Sequence, residues 1–305
     1  MFKINFKTIM ENNMRVSNLY GKKEKRVISF EFFPPRDAEA EAGFYKVVDE
    51  LTALNPDYMT MTFGAGGSTK DGSYQAVKKM IQEKKLPAAA YIAGYGLGQS
   101  EIITVLDRYK ELGVETIFVI RGDEPKNADF ISQPDSFAYA SDLIAFIKSR
   151  YDFDLGCAGY PEGHITAESI DKDTEILKLK VDNGAKYIVS QYCYDNEKFF
   201  SYIERCRAAG IKVPIIPGIM PVYTVKLTRM LCKLCGSSIP VSMEKKFEEL
   251  STADSKDVAA YGIEFAANQC RELLKHGVDG LHFYTMNRSK SVIEVINRLR
   301  SEKLL

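Results

Sequence analysis

The chain has 305 residues, 45% hydrophobic and 27% charged, enough apolar material for one large domain or two ordinary ones. Lys plus Arg and Asp plus Glu each number 41, a balance that excludes a global pull toward nucleic acid or an anionic membrane, so a charged ligand must be met by local charge. No run reaches the roughly 18 apolar residues of a transmembrane helix. Residues 1–26 carry a GKKEKR run and no apolar stretch of the kind that drives secretion, so they are expected to be a flexible tail or a short surface helix preceding a domain over 27–305.

Eight short β-branched or aromatic runs follow in chain order: Val27–Phe33, Tyr58–Phe63, Ala89–Tyr95, Thr116–Arg121, Asp154–Tyr160, Tyr187–Tyr192, Val213–Ile219 and Gly280–Met286. Helical spacing fills the intervals. Phe44, Val47, Val48, Leu51 and Leu54 form one apolar stripe, and Ile102, Leu106, Tyr109 and Leu112 form another that ends at Gly113. Phe199, Ile203 and Cys206 lead to Gly210, and Ile263, Ala266, Cys270, Leu273 and Leu274 lead to Gly277. Alternation of strand and helix requires parallel pairing through helical crossovers. Eight units without a linker predict a single (β/α)8 TIM barrel rather than an open doubly wound sheet. GYGLG at 94–98 lacks the GxGxxG spacing of a dinucleotide fingerprint and reads as a strand-to-helix loop.

The six cysteines, 157, 193, 206, 232, 235 and 270, lie mostly in apolar runs, as reduced thiols of a cytoplasmic protein do. Cys232 and Cys235 form a CxxC, but Leu231, Leu234 and the helical register favour core packing. The three histidines have no metal-ligand spacing, so no metal is expected.

In such barrels, chemistry collects at the C-terminal ends of the strands. The first run, SFEFFPPR, sets Glu31 among three phenylalanines, where burial disfavours its charge and lets it hold a proton as a general acid. The second ends TMTFGAGGST, small enough after Thr62 for a flat or anionic ligand to approach the backbone. The fourth ends Arg121-Gly122-Asp123, the fifth Tyr160-Pro161-Glu162-Gly163-His164, the sixth Ser190-Gln191-Tyr192, and the eighth HFYTMNR at 282–288. Gln191 can donate and accept toward a heterocycle edge. Lys180 suits an anionic group or, equally, a solvated helix surface. No lysine ends a strand as a Schiff-base aldolase would need, and the rim suits a planar organic cofactor.

SFEFFPPR, MTFGAGGS, VIRGD, GYPEGH, KVDNGAKYIVSQ, IIPGIMP and HFYTMNR occur in the order seen in methylenetetrahydrofolate reductases, which the chain resembles from about residue 27 to 300. The resemblance implies non-covalent FAD, NADH or NADPH as co-substrate, a folate substrate, and no nucleic-acid or membrane partner. A homo-oligomer is expected. It implies Glu31 as the acid that protonates the folate amine and Asp123 as the carboxylate beside flavin and folate. Thr62, Phe63, Ala65, Tyr91, Arg121, Gly122, Asp123, Ala140, Tyr160, His164, Ala167, Asp173 and Lys180 match cofactor-contacting positions. Asp123, Gln191 and Arg288 match substrate-contacting ones, with ping-pong hydride transfer. Tyr91 stands where a His is usual, Ile176 and Leu179 where polar residues are frequent, and Leu227 where the substrate meets a polar group. The alternative is a flavin- or folate-binding barrel subunit fed by a partner iron–sulfur protein.

Overall fold

The computed structural model describes residues 15–22, 25–64, 70–124 and 131–305. Its strands are β1 (Val27–Phe32), β2 (Tyr58–Met61), β3 (Ala88–Ala93), β4 (Thr116–Ile120), β5 (Asp154–Gly159), β6 (Ala185–Ser190), β7 (Ile215–Ile216), β8 (Gly218–Ile219) and β9 (Gly280–Tyr284). All pair in parallel, in the order β7-β6-β5-β4-β3-β2-β1-β9-β8. Every residue of β1 and β2 is buried, as expected of parallel strands covered on both faces.

β7 and β8 are two halves of one stave, and this is how the barrel closes. The run read as Val213–Ile219 is broken at Pro217, which has no N–H to give to a ladder. β7 pairs with β6 before the proline, and β8 pairs with β9 after it. The Pro217 carbonyl accepts from the His282 amide at 3.1 Å, and the Gly218 amide donates to Ser190 Oγ at 3.1 Å. The single (β/α)8 barrel therefore stands, with one divided stave.

The outer helices are α1 (Ala38–Thr52), α2 (Lys70–Gln82), α3 (Gln99–Glu111), α4 (Ala140–Arg150), α5 (Ile170–Asp182), α6 (Asn196–Ala208), α7 (Val225–Cys235), α8 (Val241–Glu249), α9 (Ser255–Lys275) and α10 (Lys290–Ser301). Their starts are chemically marked. Asp37, Ser169 and Thr224 each accept a first-turn amide hydrogen. Beyond α3, α6 and α9, Gly113, Gly210 and Gly277 take the positive φ that their spacing predicts. α7 and α8, together with the start of α9, build a second apolar cluster around Tyr192, Tyr223, Cys232, Met243 and Phe247. No helix among the described residues is long and apolar enough to cross a membrane.

Of the two readings of residues 1–26, a flexible tail or a short surface helix, residues 15–22 come nearer the second, but their turn is docked rather than lying free on the surface. A 3₁₀ turn, Val16–Leu19, seats fully buried Val16 at the N-terminal end of the barrel. The Val16 amide donates to Thr116 Oγ1, and the Ser17 amide and hydroxyl both donate to the buried Asp154 carboxylate, at 2.8 and 2.7 Å. Tyr20 reaches the barrel interior, its hydroxyl 2.7 Å from that of Tyr58. Such a plug has no helical or strand period to announce it. Residues 1–14 lie outside the described residues.

Candidate active site

Successive residues of a strand face opposite ways. Phe30 and Phe32 therefore leave Glu31 and turn outward, Phe30 against Phe283 and Phe32 edge-on against Phe44 of α1. Glu31 points into the barrel, 6% exposed, and its surroundings differ from the phenylalanine cage suggested by its sequence neighbours. Tyr91 of β3 donates its phenolic hydrogen to Glu31 Oε2, and His282 Nε2 of β9 lies 3.5 Å from the same oxygen. The other ring nitrogen of His282 is 2.8 Å from Ser29 Oγ. Thr285 Oγ1 donates to the Glu31 carbonyl at 2.6 Å, fixing the backbone. Burial first, then the Glu31 charge, pushes the phenols of Tyr91 and Tyr284 well above their ordinary range, so both remain protonated donors.

His282 was absent from the predicted site. Its signal was a polar residue between Leu281 and Phe283, in register with Ser29 two residues before Glu31. Tyr91, expected at a cofactor-contacting position, also directs its hydroxyl to Glu31.

At the end of β4, Gly122 has φ +84°, and a Cβ there would lie 2.9 Å from that of Ala93, so the rim passes close to β3 only because this residue is glycine. Arg121 is half-buried, bonding the Gly122 carbonyl through Nε at 3.2 Å with its guanidinium 5.7 Å from the Tyr95 ring. Asp123 is exposed, and its charge acts on Tyr160, His164 and Cys235 across the mouth. Thr62 is half-buried and Phe63 buried at the end of β2, where Ser73 Oγ donates to the Thr62 carbonyl at 2.8 Å. Ala65 and the rest of the small-residue turn through Thr69 lie outside the described residues.

The β5 end forms a third wall. Tyr160 and His164 meet edge to face at 4.7 Å. Asp173, Leu177 and Lys180 share one face of α5, and that face packs inward. Lys180 is therefore buried, its Nζ donating to the Ala158 carbonyl at 3.0 Å and lying 5.6 Å from the Tyr160 ring centre. Burial raises the Asp173 carboxyl, opposed by Lys180 and by His164, whose amide donates to it. Burial lowers His164, against the pull of Asp173, which keeps the ring neutral at pH 7. Ala167 closes the turn through its amide to the His164 carbonyl at 2.8 Å, and Ala140 is buried at the start of α4. Ile176 is half-buried and Leu179 exposed.

Glu162, next in this loop, is a clamp. It accepts from Lys198 at 2.6 Å, from the Ser238 amide at 2.9 Å and from Ser238 Oγ at 2.5 Å, tying the loop to the segment after α7. Burial alone would raise its carboxyl, but those donors hold it below the usual range. Gln191 is half-buried, its amide bonded to the Gly159 carbonyl at 2.8 Å. Arg288 stands exposed farther round, its guanidinium 5.3 Å from the Tyr223 ring, and Leu227 joins the second apolar cluster. Cys232 is buried and Cys235 accepts from the Tyr192 hydroxyl at 3.0 Å, so the CxxC belongs to packing. Among the described residues no group of three His, Cys, Asp or Glu is placed to hold a metal ion.

One mouth thus gathers an inward carboxyl with its phenol and imidazole, a rim carboxylate, a neutral histidine and a buried ammonium. Tyr284 feels both Glu31 and Tyr160, and Tyr160 feels Asp123, which links the first strand's acid to the fourth strand's carboxylate across the opening.

Known proteins share this arrangement of sequence. The family model described as methylenetetrahydrofolate reductase matches residues 15–300. The 5,10-methylenetetrahydrofolate reductase of Escherichia coli is 34% identical over 272 residues, covering 89% of this chain and 90% of its own. Methylenetetrahydrofolate reductase 1 of Schizosaccharomyces pombe is 35% identical over 280 residues, 91% of this chain but 46% of its own, so the chain spans about half the length of such eukaryotic relatives. A solved Clostridium thermocellum protein that binds two copies of 5-methyl-5,6,7,8-tetrahydrofolic acid superposes with a TM-score of 0.62 at 16% identity, covering 92% of this chain and 96% of its own, which speaks to the fold alone. With a match that begins at the barrel plug and runs through every strand end described above, the chain belongs to the methylenetetrahydrofolate reductase family.

Proposed function

We propose that this chain reduces the methylene group of 5,10-methylenetetrahydrofolate to the methyl group of 5-methyltetrahydrofolate, with FAD as carrier and NADH or NADPH as donor. The observation that carries the reading is Glu31: a buried carboxyl aimed at the catalytic mouth, bonded on Oε2 by the Tyr91 hydroxyl, with His282 Nε2 3.5 Å from the same oxygen. Both contacts fall on one oxygen, which leaves Oε1 to meet a substrate amine.

The donor set of the rim fits a flavin nucleotide. Buried Lys180 and half-buried Arg121 supply positive charge for an anionic linker, and neutral His164 and Tyr160 supply an aromatic edge. Thr62, Phe63, Ala140, Ala167 and Asp173 complete the set, with Ala65 from the small-residue turn. Bound there, FAD would supply two-electron hydride transfer between the nicotinamide and the folate. Glu31 protonates the folate amine so that its ring opens to an iminium, and Asp123 favours that positive charge. Gln191 reads the heterocycle and serves folate and nicotinamide in turn, which makes the kinetics ping-pong. Arg288 meets the folate's anionic end. The six free thiols, five of them buried, suit a reducing cytoplasm, and a homo-oligomer is part of the same proposal.

The purified chain is expected to carry FAD near one to one and to release it on denaturation. A colourless preparation with full activity would overturn this. Asp123→Asn is expected to raise the flavin midpoint potential by about 30 mV, a tenfold change for a two-electron couple, because the rim loses a charge that resists reduction. The folate half-reaction should slow in parallel, since the iminium loses its counter-charge. Redox titration beside single-turnover rates measures both, and a lowered potential refutes the electrostatic role.

A further inference from the structure

We infer that Tyr91 is a positioning residue for proton donation by Glu31: its hydroxyl fixes Oε2, turns Oε1 toward the substrate amine, and steadies the carboxylate that forms as the proton leaves. The inference rests on the reading of Glu31 given above. Three alanines, Ala88, Ala89 and Ala90, precede Tyr91 in β3, and its ring is held 4.6 Å from that of Phe118, itself 6.0 Å from Tyr187. A ring clamped in this way delivers its hydroxyl to one place.

The groups facing Glu31 are Tyr91 on β3, Tyr58 on β2, and His282 and Tyr284 on β9. Among the described residues no Lys or Arg pairs with it. Negative charge appearing on Glu31 therefore meets no Lys or Arg among the described residues, and the Tyr91 hydroxyl makes the direct hydrogen bond. Burial and the Glu31 charge keep that phenol protonated, so it acts as a donor and not as a base.

In the step itself, the Oε1–H bond of Glu31 breaks, its electron pair stays on the carboxylate, and the proton forms an N–H bond on the folate amine. Nothing is oxidised or reduced. A hydroxyl bonds a carboxylate about twice as strongly as a neutral acid. The Tyr91 bond thus tightens as the proton departs, the condition under which an interaction accelerates a step.

Tyr91→Phe keeps the ring and removes the donor. Single-turnover folate half-reaction rates should be followed from about pH 6 to about pH 9. The low-pH plateau is expected to fall by up to about tenfold, while the pH at which the rate drops to half its plateau moves up by about one unit, because the proton is only partly transferred in the transition state. Losing the donor leaves the carboxylate that forms on Glu31 without its direct hydrogen bond. Placing 3,5-difluorotyrosine, a stronger donor, at position 91 should move both quantities the other way. A profile without the upward shift, whether unchanged or lowered equally at every pH, overturns the inference. Glu31→Gln, run in parallel, separates the two levels. If it leaves the folate half-reaction intact, the reading of Glu31 fails; if it abolishes that half-reaction while Tyr91→Phe behaves as wild type, only the role of Tyr91 fails.

Discussion

Replacing Glu31 with Gln is expected to slow the folate half-reaction by 10²- to 10⁴-fold, about 3–5 kcal/mol of barrier, while reduction of the flavin by nicotinamide stays near the wild-type rate. Gln retains the size of the side chain and a carbonyl oxygen that can accept from Tyr91, so the packing within β1 survives. What disappears is the transferable proton. Rapid mixing of oxidised protein with nicotinamide, and separately of reduced protein with folate, resolves the two halves. Equal losses in both would make Glu31 a structural residue, whatever the size of the loss.

Gly218→Ala should carry a large stability cost for a conservative change, about 3 kcal/mol, which corresponds to roughly 5–10 °C in melting temperature. A Cβ at this position would approach the Ser190 carbonyl oxygen and the Tyr284 ring to well under 3.0 Å. One of those neighbours is backbone, fixed within β6, and cannot swing aside. The variant must push β8 from the gap or lose the bond from the Tyr284 hydroxyl to the Ser190 carbonyl, now 2.8 Å. Gly43→Ala is the control. It lies within α1 with open space around it and should be neutral or stabilising by up to about 1 kcal/mol. Thermal denaturation of the two variants tests this, and an unchanged melting temperature for Gly218→Ala would remove the tight closure from the account.

The barrel was legible because hydrophobic runs and helix-ending glycines repeat locally. Position 217 shows the limit of such reading. Its proline is visible in IIPGIMP, but that it splits a stave between two partners depends on β6 and β9, which the local sequence does not contain. Glu31 shows another limit. Its neighbours along the chain turned to the opposite face, while Tyr91 and His282, remote in sequence, became its partners through the register of β3 and β9. Lys180 could have been placed more firmly, since Asp173, Leu177 and Lys180 recur at helical spacing and share the buried face. The motif positions at the ends of β4, β5 and β6 needed no such help, because in this fold strand ends converge by construction.

The plug formed by residues 15–22 also sets an order of events during synthesis. Its anchoring groups are Thr116 on β4 and Asp154 on β5, 100 and 137 residues away along the chain. At typical translation rates, this turn leaves the ribosome on the order of ten seconds before its docking ground exists. Until then Val16 and Tyr20 are uncovered apolar surface on a nascent chain. The segment that is made early must therefore wait and latch late, and a nascent chain halted before β5 would present a sticky end that chaperones can hold.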